Sequence, residues 1–262
     1  MTPALPHYAV LIAAAGIGLL SPSAEAFGEE RECPVPESFY AFQPPLTKTA
    51  KALADGHEVV IAVLGGASTL GRAAGGASLA WPARMAAALA DKFPSARIKV
   101  VNLAAARETA KAAAERLDRD VRPLKPTLVI WETGTMEAVQ GSDVDEFRQT
   151  VQTGVAEMRA AEAEVVFMSM QFSRETDTMI HFAPYRVAMR ELADTNDIPL
   201  FPRHRIMRHW AESGLLDLTA KDSKSRRQVA AKLYDCIGRA MANFVKRGGA
   251  AGEPAATPGS GQ

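Results

Sequence analysis

A serine placed directly after an apolar strand pattern is the strongest chemical signal in this sequence. Residues 59–64 form a continuous apolar run rich in valine and isoleucine, and a Gly-Gly-Ala-Ser turn follows, ending at Ser68. Such a run bounded by glycines is typical of a buried parallel strand. Open α/β sheets bind their ligands at the carboxyl ends of the strands. The spacing therefore predicts that the Ser68 hydroxyl either acts as a nucleophile or caps the next helix.

A nucleophilic serine needs a neighbouring base, and histidine is the usual one. His181 lies in the loop predicted at residues 173–183, after the fourth strand, and His204 follows the fifth. Both therefore fall at the same sheet edge as Ser68 and are the candidate bases. A surface or structural role is the alternative for each, because the sequence gives no distance between either ring and Ser68.

Alternating short and long segments must position these residues. The short apolar segments predict strands at residues 59–64, 97–102, 127–131, 164–168 and 198–201. The longer amphipathic segments predict helices at residues 81–93, 109–121, 144–161, 184–195 and 227–246, and a further helix begins near residue 47. This alternation predicts an α/β protein with a five-stranded parallel sheet between two helix layers, in a three-layer, flavodoxin-like α/β/α arrangement.

Four motifs, in their order and spacing, resemble those of the SGNH (GDSL-type) hydrolase family. They are the Gly-Gly-Ala-Ser-Thr turn at 65–69, the strand ending in Asn102, the strand and turn at 128–137, and the segments 198–201 and 207–210. The resemblance covers residues 58–244. It implies the hydrolysis of acyl or carbohydrate esters, with Ser68 as the nucleophile.

The resemblance also implies oxyanion or ligand-binding positions at Ala104, Gly134, Met136 and Glu137. Ala104 stands where the family has a glycine, so its backbone N–H serves only if it points inward. Met136 stands where the family has an asparagine, and a thioether cannot donate a hydrogen bond. Glu137 is similar to the acid that closes this motif. Its alternative role is that of a charge at a helix N-terminus.

The final Asp-x-x-His of the family has no counterpart here. Residues 217–228 contain no histidine, and an alignment on the last helix places Ser225 and Gln228 at the Asp and His positions. Two functions stay open. One is ester hydrolysis that is weak or lost, with His181 or His204 as a substitute base. The other is a non-catalytic cell-envelope binding or scaffold protein that keeps the fold.

Composition excludes several other classes of function. The 262 residues contain 30 Lys and Arg against 30 Asp and Glu, and aromatic residues make up 6%. No basic, aromatic-rich surface for nucleic acid is therefore expected. The glycines after the first strand match neither a P-loop nor a GxGxxG motif, which argues against a nucleotide. We expect no cofactor and no metal, and a small-molecule or glycan ester as the ligand.

The chain ends differ in composition from the central domain. Residues 1–26 pair an apolar stretch with an Ala-Glu-Ala site, which predicts a cleaved signal peptide, with an uncleaved anchor as the alternative. We therefore expect a periplasmic or secreted protein with no membrane span after cleavage. Residues 27–46 predict an extended, proline-rich arm, 47–246 the hydrolase-like domain, and 247–262 a disordered tail.

The chain has two cysteines, Cys33 near the expected mature N-terminus and Cys236 in the last predicted helix. In an oxidising compartment they could form a disulfide that ties the arm to this helix. Two separate buried thiols are the alternative.

Overall fold

The apolar runs form a five-stranded sheet in which every neighbouring pair of strands is parallel. The computed structural model describes residues 33–41 and 43–250. The strand order is β2-β1-β3-β4-β5, which is the flavodoxin-like order. The strands are β1 (Glu58–Leu64), β2 (Arg97–Asn102), β3 (Leu128–Glu132), β4 (Glu164–Met168) and β5 (Leu200–Phe201).

Helices connect the strands and cover both faces of the sheet. They are α1 (Thr47–Ala54), α2 (Trp81–Lys92), α3 (Ala110–Ala114), α4 (Thr135–Gln140), α5 (Val144–Ala160), α6 (Arg174–Met179), α7 (Ala183–Thr195), α8 (Arg203–Glu212) and α9 (Ser223–Ala250).

Alternate residues of each strand face opposite helix layers. In β1, Ile61 and Val63 pack with α1, α2, α8 and α9, whereas Ala62 and Leu64 pack with the helices on the other face. This alternation is the period-two pattern of a strand whose faces are both buried. The structure thus confirms the three-layer α/β/α prediction.

Three segments differ from the sequence prediction. The helix expected over 109–121 is a short α3 followed by a π-helical turn at Leu117–Val121. The segment expected as a loop after β4 contains α6. The tail predicted to be disordered from residue 247 is helical up to residue 250, because α9 continues to that point. The rest of that tail lies outside the described residues.

The N-terminal arm is fixed against the domain. Cys33 and Cys236 form a disulfide with a Cα–Cα distance of 5.5 Å. Trp210 Nε1 donates to the Pro34 carbonyl at 2.8 Å, and the Tyr40 hydroxyl donates to the Ala240 carbonyl at 3.3 Å. The arm also contains a 3₁₀ turn and so is not extended throughout.

The predicted signal peptide at 1–26 lies outside the described residues. Within residues 33–41 and 43–250, no helix combines the length and the apolar character needed to cross a membrane.

Candidate functional site

Three side chains from three strand ends meet at the carboxyl edge of the sheet. Ser68 follows β1, Glu132 is the last residue of β3, and Arg203 begins α8 just after β5. Parallel strands end at a common edge, so residues far apart in sequence come into contact there. This edge is where the sequence placed Ser68.

The Ser68 hydroxyl is held by a carboxylate and a guanidinium. Ser68 Oγ lies 3.1 and 3.2 Å from the two carboxylate oxygens of Glu132, and Arg203 Nη1 donates to Ser68 Oγ at 3.2 Å. The hydroxyl can therefore donate to Glu132 while it accepts from Arg203. Ser68 does not cap the next helix, since α2 has Ala80 at its N-cap, without a side-chain cap bond. The capping alternative is wrong.

Glu132 and Arg203 form a buried ion pair below the serine. Arg203 Nη2 donates to Glu132 Oε1 at 2.7 Å. Arg203 is only 2% exposed, and Glu132 is only 8% exposed. The Thr69 hydroxyl donates to Glu132 Oε2, and Trp81 Nε1 donates to Thr69 Oγ1 at 3.1 Å. Each carboxylate oxygen is thus hydrogen-bonded, as a buried charge requires.

The surroundings of Glu132 keep it ionised. Burial alone raises the pKa of this carboxyl, but the Arg203 charge and the hydrogen bonds from Arg203, Thr69 and Ser68 outweigh burial. The pKa of Glu132 therefore lies below its ordinary value. A carboxylate with a lowered pKa is a weak base towards a serine hydroxyl.

Arg203 occupies the place that a base would need beside Ser68. Its Nε also donates to the Ser169 carbonyl at 2.9 Å, at the end of β4. The guanidinium is therefore fixed by the ends of three strands. The sequence analysis missed Arg203, although it considered the next residue, His204; a cation directly after a strand at the site edge was the available signal.

Neither candidate histidine is hydrogen-bonded to Ser68 in the described part of the chain. His204 Nε2 lies 3.0 Å from Asp177 Oδ2 and 3.3 Å from Arg186 Nη1, and its ring packs edge-on against Phe172. Burial lowers the pKa of His204; Asp177 opposes this shift and Arg186 adds to it. His181 is exposed in the turn between α6 and α7. The prediction that one of them activates Ser68 finds no supporting contact.

The backbone N–H at the predicted oxyanion position is already engaged. Ala104 donates its N–H to Asn102 Oδ1 at 3.1 Å, and Asn102 Nδ2 donates to the Thr69 carbonyl at 2.7 Å. Asn102 thereby ties the loop after β2 to the serine turn and uses the N–H that would have served an oxyanion. This position contributes no free donor in this arrangement.

The turn after β3 packs closely against neighbouring side chains. Gly134 has φ = +88°, and a Cβ there would come within 2.5 Å of Met170 Cε and 3.3 Å of Phe147 Cζ. Met136 is half-buried on α4 and offers a thioether where the family has an amide donor. These two residues close the helix layer beside the site without adding a hydrogen-bond donor side chain.

Glu137 is a buried carboxyl next to this turn. It accepts the N–H of Ala110 at the start of α3, whereas its Oε2 has no hydrogen-bond partner among the described residues. Burial raises the pKa of Glu137, and the Ala110 N–H only partly opposes that shift. Glu137 thus links α3 to α4.

The segment that carries Asp and His in the family forms the start of α9. Asp222 Oδ1 accepts the Ser225 N–H at 2.8 Å, and Gln228 is exposed.

Within residues 33–41 and 43–250, no three His, Cys, Asp or Glu side chains are grouped so that they could hold a metal ion. A cleft of about 260 Å³ lies between the loop after β4 and the α8–α9 loop, and Phe172 and Leu216 line it.

The profile of the non-GDSL lipase-like family matches residues 32–251 of the sequence. A comparison with curated proteins gave no significant match.

Several solved structures of hydrolases are similar to this chain. A two-domain esterase active on acetylated mannans has a TM-score of 0.62 at 16% identity, covering 82% of this chain and 56% of that one. LAE5, an α/β hydrolase enzyme from the metagenome of Lake Arreo, Spain, has a TM-score of 0.53 at 18% identity, covering 69% and 95%. The acetyl xylan esterase AlAXEase has a TM-score of 0.51 at 15% identity, covering 67% and 98%. Identities this low show a shared fold.

Proposed function

Because the chain belongs to the non-GDSL lipase-like family, a divergent group of SGNH/GDSL-type hydrolases, we propose that it binds a small-molecule or glycan ester beside Ser68 and hydrolyses it weakly or not at all. The observation that carries this proposal is the pair of partners at Ser68 Oγ, which are Glu132 and Arg203. Family membership supports ester hydrolysis as the type of reaction, and the contacts of Ser68 support a low or absent rate.

Hydrolysis by Ser68 would need a proton acceptor and oxyanion donors. An arginine that donates to Ser68 Oγ occupies a lone pair needed for attack, and Glu132 has a pKa below its ordinary value. The Ala104 N–H is used by Asn102, and Met136 cannot donate. Loss of one oxyanion donor typically lowers kcat by about 10²–10³. The combined losses favour binding over turnover.

Two further observations support an exported protein that meets carbohydrate esters. The Ala-Glu-Ala pattern after the apolar N-terminal stretch is typical of a cleaved signal, and disulfides persist in oxidising compartments. Two of the structural neighbours are named as an acetyl xylan esterase and an esterase active on acetylated mannans. We therefore include acetylated glycans among the expected ligands.

The test is hydrolysis of p-nitrophenyl acetate and butyrate by residues 27–262, beside the matched Ser68→Ala variant. We expect equal rates, at the level of the uncatalysed reaction, and no labelling of Ser68 by a fluorophosphonate. A rate that disappears in Ser68→Ala, together with labelling at Ser68, would refute the loss of activity.

One contact favours a second candidate, which is ester hydrolysis without histidine. Ser68 Oγ lies 3.1 Å from Glu132 Oε1, within reach for direct proton transfer. In this scheme the Ser68 proton passes to Glu132 as Oγ bonds to the acyl carbon, and Glu132 returns it to the alcohol as the ester C–O bond breaks. Water then attacks the acyl-serine, gives a proton to Glu132 and releases the acid, and Glu132 returns that proton to Ser68 Oγ. A base with a lowered pKa stays deprotonated at pH 5, where a free imidazole is mostly protonated. Ser68-dependent activity that survives at pH 5 and disappears in Glu132→Gln would establish this candidate, provided that circular dichroism shows the variant to be folded under the assay conditions.

A further inference from the structure

A group of exposed cations lies at the start of α9 and beside it, and we call it the basic rim. It consists of Arg72, Lys221, Lys224, Arg226 and Arg227, all exposed. In the described part of the chain, none of these side chains forms an ion pair or hydrogen bond. The acid in the segment, Asp222, is engaged as the cap of the Ser225 N–H. The whole chain has a formal net charge of +0, so the rim is a local concentration of charge.

The position of these cations is unfavourable for the helix that carries them. Positive side chains near a helix N-terminus oppose the helix dipole, and the first turn of α9 contains no acidic residue. The stability of α9 therefore does not explain why these cations are grouped here. Binding of a negatively charged partner would explain it.

The basic rim borders the loop that follows Ser68. Tyr234, on α9, lies close enough to the site for the charges of Arg203 and Glu132 to act on its pKa, which burial raises overall. Arg227 precedes Tyr234 by seven residues, which is two helical turns or about 10 Å along the same face. Arg227 Cδ also lies 3.9 Å from where a Cβ on Gly75 would be, in the loop that follows Ser68. Arg227 thus lies beside the loop that leads from Ser68 to α2.

We propose that the basic rim binds the carboxylates of an acidic polysaccharide whose ester-bearing sugar reaches Ser68. This inference rests on the proposed function and names the class of its ligand. Lys and Arg side chains grouped at one end of a helix suit repeated carboxylates on a polymer, and the arginines can bind a carboxylate with two parallel hydrogen bonds.

The surroundings of the rim favour a polymer over a membrane surface. A membrane-docking surface pairs its cations with exposed apolar side chains. The exposed large apolar residues of the described chain are Val139, Met179 and Val187, which lie on α4, α6 and α7 rather than on the rim. Residues 215–228, which hold four of the five rim cations, contain no aromatic side chain on which nucleic-acid bases could stack.

The test measures binding of the exported, purified protein to polygalacturonate by calorimetry, with neutral mannan as the uncharged polymer. The variant Lys224→Gln/Arg227→Gln removes two charges from the rim. Its matched control, Arg97→Gln/Lys125→Gln, removes two exposed charges at the opposite, amino edge of the sheet. We expect polygalacturonate to bind about tenfold more weakly to the rim variant. The control should bind like the unaltered protein, and 0.3 M NaCl should weaken binding.

Three results would overturn the inference. They are equal binding by the two double variants, equal affinity for neutral mannan, and a preference for phosphatidylglycerol vesicles over polygalacturonate. The p-nitrophenyl ester assay reports separately on Ser68. A failure of this inference is therefore distinguishable from a failure of the proposed function.

Discussion

At the scale of single residues, the buried pair of Glu132 and Arg203 governs the chemistry open to Ser68. The pair fills the space below the hydroxyl with two opposite charges that are each hydrogen-bonded on more than one side. Such a pair is costly to desolvate, and it persists because the partners compensate each other closely. A histidine base at the same spot would face a fixed guanidinium, which disfavours its protonated form.

Removing one charge of this pair should destabilise the protein strongly. Glu132→Gln leaves Arg203 buried without its counter-charge, and broken buried pairs cost about 3–5 kcal/mol. We expect the free energy of unfolding in urea to fall by that amount. The double variant Glu132→Leu/Arg203→Met, which removes both charges, should be markedly more stable than the single variant. Equal stabilities would contradict the pairing.

Glu137 should make stability depend on pH in a way that Gln cannot reproduce. Its pKa in the folded protein lies above the ordinary value, so the folded state binds the proton more tightly than the unfolded chain does. That stabilisation is complete below the ordinary pKa and is lost as pH rises through the raised one. We expect Glu137→Gln to gain stability relative to the unaltered protein between pH 4 and pH 8, measured by urea unfolding. A difference that does not change with pH would show that Glu137 does not titrate as described.

The sequence located Ser68 and missed Arg203 for a physical reason. A strand followed by a glycine turn is a local pattern, so Ser68 could be placed at the sheet edge from its neighbours alone. The contact between Ser68 and Arg203 joins residues 135 positions apart, and only the order of strands in the sheet brings them together. Glu132 directly follows the third predicted strand and so lies at this edge by the same local pattern, but nothing local in the sequence identifies the arginine that pairs with it.

At the scale of elements, the spacing of apolar residues predicted which residues are buried more accurately than it predicted the type of helix. Residues 110, 113, 117 and 121 are all buried, which is the helical spacing that predicted one helix over 109–121. The chain keeps that spacing while its hydrogen bonds change from α to π. The strands were predicted closely because short apolar runs in a parallel sheet are buried on both faces. Helix α6 was missed because none of its residues is buried.

The close contact between α2 and α9 can be tested by adding a methyl group at Gly238. A Cβ on Gly238 would approach Arg84 Cβ to 2.5 Å, Met85 N to 2.7 Å and the Trp81 carbonyl to 2.8 Å. We expect Gly238→Ala to lower the free energy of unfolding by about 1–3 kcal/mol, because the two helices must move apart.

The control for this substitution is Gly66→Ala. A Cβ at Gly66 would meet no atom within 4 Å, so its stability should change little. If Gly238→Ala unfolded at the same urea concentration as the control, the two helices would not be in the contact described.

At the scale of the whole molecule, the N-terminal arm is attached to α8 and α9. The disulfide, the Trp210 bond to the Pro34 carbonyl and the Tyr40 bond to the Ala240 carbonyl fasten residues 33–40 across the helix layer. The sequence offered the Cys33–Cys236 bond as one of two alternatives. Cysteine positions alone do not report the distance between two segments that are remote in the chain.

Opening the disulfide should loosen the arm and lower stability. A cross-link between residues 203 positions apart restricts the unfolded chain, and such links contribute about 2–5 kcal/mol. We expect Cys33→Ala/Cys236→Ala to lower the unfolding free energy by about this amount and to expose residues 33–41 to trypsin. Unchanged stability and protease resistance would indicate that the other arm contacts suffice.

The same bond closes residues 33–236 into a covalent ring, with a tail of chain on each side of it. An enzyme that trims residues from either end would stop at the ring, since it would find no free terminus beyond Cys33 or Cys236. A single internal cut between them would leave one molecule of unchanged mass on a non-reducing gel, and a reductant would then release two fragments. Damage to a surface loop is therefore tolerated without loss of any part of the sheet edge that carries Ser68, Glu132 and Arg203.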